Sequence, residues 1–253
     1  MIHFVGAGPG AVDLITVRGQ RYLKEADVII YAGSLVNKGL LEYAKEGCEV
    51  YNSAYMTLEE VIEVMIKSEK EDKMTVRLHT GDPCLYGAIR EQMDALKKLN
   101  IAYDICPGVS AFCGAASSLE LEYTLPGVSQ SVIITRTEGR TPVPEREKIM
   151  SFAAHGATMV LFLSTGLLEK LVKELLAGGY APDTPAAIVY KATWPEEEAY
   201  VCTIDTLVET ARKHQITKTA LILVGNVVTH SHYERSKLYD PGFTTEFRKG
   251  SDS

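Results

Sequence analysis

An α/β fold in two domains is what the sequence predicts, and three observations carry that expectation. Short apolar runs at residues 2–6, 28–31, 48–51, 74–78 and 101–105 alternate with helical stretches, the pattern of a mostly parallel sheet covered on both faces. Three of these runs end in small, turn-forming loops: Gly6-Ala-Gly8-Pro-Gly10, Thr80-Gly-Asp-Pro-Cys-Leu-Tyr-Gly87 and Pro107-Gly-Val-Ser-Ala111. A second alternating pattern begins at residue 131, beyond a break at Leu125-Pro-Gly127. The domains are accordingly placed at 1–118 and 119–230, with a tail at 231–253.

The elements follow in order. Residues 16–26 read as a helix on which Val17, Tyr22 and Leu23 can share a face. Residues 37–44 read as a short helix. Thr57-Leu-Glu-Glu60 is a capping box that opens a helix through about Ser68. Residues 88–99 are amphipathic, with Ile89, Met93 and Leu96 on one face, and residues 112–119 form a small, apolar helix. In the second domain, strands are expected at 131–135, 157–163, 186–190, 199–204 and 221–224. Helices are expected from Glu145, over 164–177 with a core stripe of Leu167, Leu168, Leu171 and Leu175, and from a cap at Asp205 to His214. The acidic run Trp194-Pro-Glu-Glu-Glu198 reads as a solvated turn. Aromatics in the tail, Tyr233, Tyr239, Phe243 and Phe247, point to packing against another subunit.

Composition narrows the function. The chain has 253 residues, 46% hydrophobic, and a net charge of −7 without a basic cluster, which disfavours nucleic acid as a partner. No long uncharged apolar run is present, so no membrane span is expected. The N-terminus enters a strand directly, so no leader peptide is expected. The five cysteines are odd in number and lack CxxC spacing, as in buried thiols of a cytoplasmic protein. His230 and His232 read as surface residues, and no metal site is expected.

The first loop invites a dinucleotide-binding reading, since Gly6, Gly8 and Ala11 satisfy the looser glycine fingerprint. Pro9 and Gly10 interrupt the turn where a helix should already receive the pyrophosphate, and the second strand ends in Tyr31-Ala-Gly-Ser34 without the ribose-binding acid. The three loops describe a cleft lined by backbone. They suit a ligand with both an amino and a carboxylate group, and no nucleophile motif, Walker lysine or catalytic acid–base pair is evident.

These loops carry a resemblance. Val5-Gly-Ala-Gly-Pro-Gly10 with Asp13-Leu-Ile-Thr16, then Gly81-Asp-Pro-Cys-Leu-Tyr-Gly87, then Pro107-Gly-Val-Ser-Ala111 resemble the tetrapyrrole methylases over residues 5 to about 227. Tyr31-Ala-Gly-Ser-Leu-Val36 and Leu238-Tyr-Asp-Pro-Gly-Phe-Thr-Thr-Glu-Phe-Arg248 are similar to the branch acting on carbon-11 of precorrin-4 or cobalt-precorrin-4 in cobalamin synthesis. Members that methylate uroporphyrinogen carry an acid directly after the second-strand tyrosine, where this chain has Ala32. The resemblance implies two α/β domains with a cofactor cleft between them, S-adenosylmethionine as cofactor, S-adenosylhomocysteine as product, and a homodimer. It implies cofactor contacts from Pro9, Thr80, Gly81, Asp82, Leu85, Ser110, Ala111, Leu163 and Ala192. Core packing is the alternative for Leu163, and a turn cap for Asp82.

The expected reaction is direct displacement at the sulfonium methyl by an electron-rich ring carbon. Ser34, Tyr86, Arg136, Arg140 and Lys191 are the candidates to hold the acetate and propionate arms of the tetrapyrrole. No residue is assigned as the catalytic base. The competing readings are a methylase of another ring carbon, a methylase of diphthamide precursors or ribosomal RNA, a nucleotide-binding oxidoreductase and a non-catalytic corrinoid carrier.

Overall fold

The structure is a computed structural model and describes residues 1–229 and 232–251. His230, read above as a surface residue, lies outside the described residues. The chain divides into two compact units, Met1–Ala115 with Lys191–Glu197, and Ala116–Tyr190 with the described part of Glu198–Ser253. The assignment of 191–197 to the second domain is therefore corrected: the side chains of Thr193 and Trp194 bond to the first glycine loop.

The first unit contains β1 (Ile2–Gly6), α1 (Val17–Glu25), β2 (Val28–Tyr31), β3 (Glu49–Asn52), α2 (Leu58–Lys70), β4 (Thr75–His79), α3 (Arg90–Lys98), β5 (Tyr103–Cys106) and α4 (Ala111–Ser118). Its sheet is wholly parallel, in the order β3-β2-β4-β1-β5. The inner strands β1, β2 and β4 are buried on both faces because helices cover both, while the edge strands β3 and β5 are partly exposed. Ile2, Phe4, Val28 and Ile30 pack with Met65 of α2 and Leu96 of α3, while Val5, Ile29 and Leu78 pack with Leu23 of α1. Each such fully buried side chain contributes roughly 1.5–3 kcal/mol.

Sequence signals fix the helix ends. Thr57 Oγ1 accepts from Glu60 N at 3.3 Å and Glu60 accepts from Thr57 N at 2.7 Å, completing the capping box of α2. At α1 the shared face needs correction, because Val17 is 87% exposed. At 3.6 residues per turn, Val17 points about 140° from Tyr22 and about 120° from Leu23. Residues 37–44 form a 3₁₀ helix, Lys38–Tyr43, with Asn37 accepting from Gly39 N.

The second unit contains β6 (Val132–Arg136), α5 (Ile149–Ala153), β7 (Thr158–Phe162), α6 (Leu168–Ala177), β8 (Pro185–Tyr190), β9 (Glu198–Thr203), α7 (Leu207–Lys213) and β10 (Ala220–Val224). Its sheet is mixed, in the order β6-β7-β10-β8-β9, with only β6 and β7 parallel. Leu168, Leu171 and Leu175 of α6 are buried against Met159, Leu161, Ile188 and Ile222. Asp205 does not cap α7. It accepts from the Thr203 hydroxyl, and Thr206 occupies the cap position.

The cysteine expectation also changes. All five are free, but only Cys106 is buried, while Cys84 and Cys113 are exposed. Cys84 sits on the turned-out loop after β4 and Cys113 on the solvent side of α4. Among the described residues, no helix is long and apolar enough to cross a membrane.

Candidate active site

The parallel register brings three loops side by side. Gly6 lies opposite His79, and Val5 opposite Cys106, so β1, β4 and β5 end at one level. This is the carboxyl edge of an open α/β sheet, where ligands bind. Ala7 N donates to His79 O at 2.7 Å, and Gly8 and Gly81 exchange hydrogen bonds of 3.2 and 2.9 Å. Three glycines then pack backbone to backbone. A Cβ on Gly6 would lie 2.5 Å from Gly108 Cα and 2.6 Å from Gly81 O.

Asp82 ties the second loop to the third. Its carboxylate accepts from Cys84 N and from Gly108 N, both at 2.8 Å. Burial alone would raise the Asp82 pKa, but these hydrogen bonds outweigh it and hold the carboxyl below its ordinary value. Both oxygens are therefore occupied in positioning the loops. Gly81 has φ +58, and a Cβ there would sit 3.3 Å from Ala111 N and 3.5 Å from Ser110 Cα. Glycine at 81 thus leaves open the backbone where α4 begins, whose first N–H groups have no partner within the helix.

The segment 191–197 closes the cluster on its other side. Trp194 Nε1 donates to Pro9 O at 3.0 Å, and Ala11 N donates to Thr193 Oγ1 at 3.0 Å. The indole lies so close to Gly10 that any Cβ there would overlap it. Gly114 of α4 packs against both Pro9 and Thr193. Trp194 was read as part of a solvated turn and is instead a wall of the first loop. Its being the chain's only tryptophan was the signal available in the sequence. Lys191 lies over the Trp194 ring, with Nζ 5.5 Å from its centroid, and 3.6 Å from Glu196.

Pro9, Gly81, Asp82, Ser110, Ala111 and Ala192 thus fall in one cluster, with Thr80, Leu85 and Tyr86 on the same β4 loop. Ser34 is exposed on the 3₁₀ turn Gly33–Leu35 after β2. Leu163, Arg136 and Arg140 belong to the second unit. Leu163 directly follows β7 with φ +52 and is 67% exposed, so it is not core. Arg136 ends the neighbouring β6, in register with Phe162. Its guanidinium donates to Thr141 O at 3.2 Å and Pro142 O at 2.8 Å, latching its own loop. Arg140 is exposed on that loop. Beside Leu163, Ser164 Oγ accepts from Thr137 N at 2.9 Å, and the buried Thr137 Oγ1 has no partner.

Backbone conformation marks the same places. Four of the non-glycine residues with positive φ, Asp72, Asn100, Glu120 and Gln215, stand just after helices, an ordinary location. Tyr86, Ala88, Leu163, Lys191, Thr193 and Thr219 have no such reason, and all but Thr219, which precedes β10, lie on or beside the residues named above. Each costs on the order of 1–3 kcal/mol, and such residues concentrate at ligand sites.

A parallel sheet whose carboxyl edge is a glycine-built backbone cradle defines a class of small-ligand α/β enzymes, and the sequence places the chain within it. The chain belongs to the tetrapyrrole (corrin/porphyrin) methylases, whose family model matches residues 1–208. It is 54% identical over 248 residues to a cobalt-precorrin-4 C(11)-methyltransferase of Methanocaldococcus jannaschii, covering 98% of this chain and 96% of that one. A protein of the same name from Priestia megaterium is 48% identical, covering 100% and 99%. A precorrin-4 C(11)-methyltransferase of Sinorhizobium sp. is 41% identical, covering 98% of each. The X-ray structure of a cobalamin biosynthetic enzyme, cobalt precorrin-4 methyltransferase, superposes with a TM-score of 0.88 at 47% identity, covering 90% of this chain and 95% of that one. The uroporphyrin-III C-methyltransferase of Thermus thermophilus, complexed with S-adenosylhomocysteine, gives a TM-score of 0.76 at 27% identity, covering 90% and 99%.

Proposed function

We propose that this chain transfers the methyl group of S-adenosylmethionine to carbon-11 of cobalt-precorrin-4 in cobalamin synthesis. Relatives at 54% and 48% identity are both named for the cobalt-containing substrate, whereas the one at 41% is named for precorrin-4. That gradient favours the cobalt form.

The observation that carries the cofactor assignment is the missing side chain at Gly81, which leaves Ala111 N uncovered. The residues present fit the group. A cofactor with an amino acid tail needs carbonyls for its ammonium and N–H groups for its carboxylate, and the Thr80–Asp82 and Ser110–Ala111 backbone supplies both. Pro9, Leu85 and Ala192 would add apolar contact. When bound, S-adenosylmethionine supplies an electrophilic methyl on a positively charged sulfur that is itself a good leaving group. The protein's task is alignment. Asp82 accepts from Cys84 N and Gly108 N and so fixes the geometry of the β4 loop against the loop after β5.

Ser34, Tyr86, Arg140 and Lys191 are assigned to the carboxylate arms of the macrocycle. Arg136 is assigned with them: two of its N–H groups hold the Arg140 loop, and the others remain for a carboxylate. A homodimer is part of the proposal. In the tail, Arg248 donates to Leu238 O at 3.0 Å and to Asp240 O at 2.6 Å. The tail is thus tied into a loop that leaves Tyr239 and Phe247 exposed, a surface suited to a second copy. A cytoplasmic location fits the five free thiols.

Titration with S-adenosylhomocysteine tests the cofactor assignment. Wild-type protein is expected to bind at micromolar concentration, and Gly81→Val to lose binding because its side chain covers Ala111 N. Equal binding by both proteins would remove the cofactor from this loop.

A further inference from the structure

A second feature of the first unit takes no part in the cofactor cradle. Thr75, Arg77 and His79 alternate along β4 and face the layer of α2 and α3. Thr75 is satisfied there by Ser68, at 2.5 Å. Arg77 and His79 are matched only in part. Arg77 is 6% exposed and sits on the central strand of its sheet. Its Nε donates to Gln92 Oε1 and its Nη1 to Ile30 O, both at 3.1 Å. No carboxylate pairs with it among the described residues, and these two bonds use two of the five N–H donors of a guanidinium. His79 is 4% exposed, and its Nε2 is buried without a partner. Native interiors rarely leave such groups unpaired, because an unmatched buried charge or polar atom opposes folding.

Both side chains line a cavity of about 250 Å³ beside the β4 loop, together with Ala32, Ser53, Thr80 and Tyr86. We propose that this cavity is a carboxylate subsite, in which the Arg77 guanidinium and the His79 imidazole receive one acetate or propionate arm of the tetrapyrrole. The proposal rests on the methylase reading above and adds a specificity contact to it.

Charge and size select the ligand. The guanidinium presents free N–H donors in the fork that matches a carboxylate. It excludes cations. Burial and the neighbouring Arg77 push the His79 pKa down to about 3, so the imidazole is neutral and adds a hydrogen bond without charge. Glu91, exposed at the mouth, disfavours a doubly charged phosphate. The volume lies below the roughly 300–1,000 Å³ of sites that enclose a whole drug-sized ligand, so it admits a side arm and not a macrocycle. An arm fixed here would set which ring carbon faces the cofactor.

The test uses the full-length protein and Arg77→Met, with S-adenosylhomocysteine affinity and methyl transfer to the tetrapyrrole measured on each. Arg77→Met is expected to retain S-adenosylhomocysteine affinity and to lose about ten- to a hundredfold in kcat/KM for the tetrapyrrole, the value of a charge-assisted hydrogen bond. Arg77→Lys should recover part of this loss. Propionate alone should compete with the tetrapyrrole in the wild type and not in Arg77→Met. Because Arg77 also bonds to Ile30 and Gln92, Ala32→Leu provides an independent variant. It fills the cavity without touching those bonds and should give the same loss. Unchanged kcat/KM in a folded Arg77→Met or in Ala32→Leu would overturn the subsite while leaving the methylase intact. A wild type that binds no S-adenosylhomocysteine and transfers no methyl would overturn the methylase reading, and the subsite with it.

Discussion

Replacing Gly108 by alanine isolates the close packing of the three loops from every other property of the site. Its φ is not in the left-handed region, so alanine carries no backbone penalty there. The added Cβ would overlap Gly81 O and lie 2.7 Å from Gly6 Cα and 2.9 Å from Gly6 C. All three are main-chain atoms, of the β1 end and of the loop after β4, and cannot swing away as a side chain would. Overpacking of this kind costs about 1–3 kcal/mol. Separating the loops also breaks the bond from Gly108 N to the Asp82 carboxylate, and a hydrogen bond to a charged group contributes about 1.5–3 kcal/mol. The expected loss is roughly 3–5 kcal/mol, a large share of the 5–15 kcal/mol typical of a domain. Urea unfolding measures the loss, and calorimetric titration with S-adenosylhomocysteine follows binding, which should fall below detection. Gly47→Ala is the control, with φ +80 and nothing within 4 Å of its Cβ. It should cost only about 1–2 kcal/mol of backbone strain and leave binding untouched. A Gly108→Ala protein with wild-type stability and affinity would refute the reasoning.

Three further outcomes are expected. Trp194→Ala should weaken S-adenosylhomocysteine binding about tenfold, since the indole holds the first loop through Pro9 O and one such hydrogen bond is worth on the order of 1 kcal/mol; in the wild type, the fluorescence of this sole tryptophan should change on titration. His79 gives a pH dependence: its folded pKa is depressed from 6.5 to about 3, so below pH 6.5 the unfolded chain takes up a proton that the folded chain refuses. Stability should therefore fall with acid at up to about 1.4 kcal/mol per pH unit, and His79→Phe, measured by urea unfolding at pH 7 and pH 5, should flatten that slope. Truncation after Val228 should weaken the homodimer, read as a lower sedimentation coefficient at low protein concentration; an unchanged profile would remove the tail from the interface.

The first sheet was legible because its inner strands are buried on both faces, which writes β1 and β2 as short apolar runs, and because glycine and proline punctuate the strand ends. The capping box at Thr57 and Glu60 was legible for a local reason, since both partners lie within four residues. What escaped was non-local. Trp194 and Pro9 are 185 residues apart, and nothing near the tryptophan announces its partner. Arg136 reads as a solvated cation, yet two of its N–H groups hold Thr141 and Pro142, a contact that depends on how one loop folds back. Asp205 has the right residue type for a cap but sits one position early, and Thr206 takes the place. Burial of the strand at 74–78 was legible, and the structure bears it out; the cavity that Arg77 and His79 line was not, because it depends on how α2, α3 and the β4 loop pack around them.

The most direct test of the account is transfer of a ¹³C-labelled methyl group from S-adenosylmethionine to cobalt-precorrin-4, with the product examined by ¹³C NMR. The account predicts one labelled methyl, bonded to carbon-11, formed by the wild type and not by Gly81→Val. Label at another ring carbon would contradict the assigned branch. No transfer to any tetrapyrrole by protein that binds S-adenosylhomocysteine would contradict the proposed function.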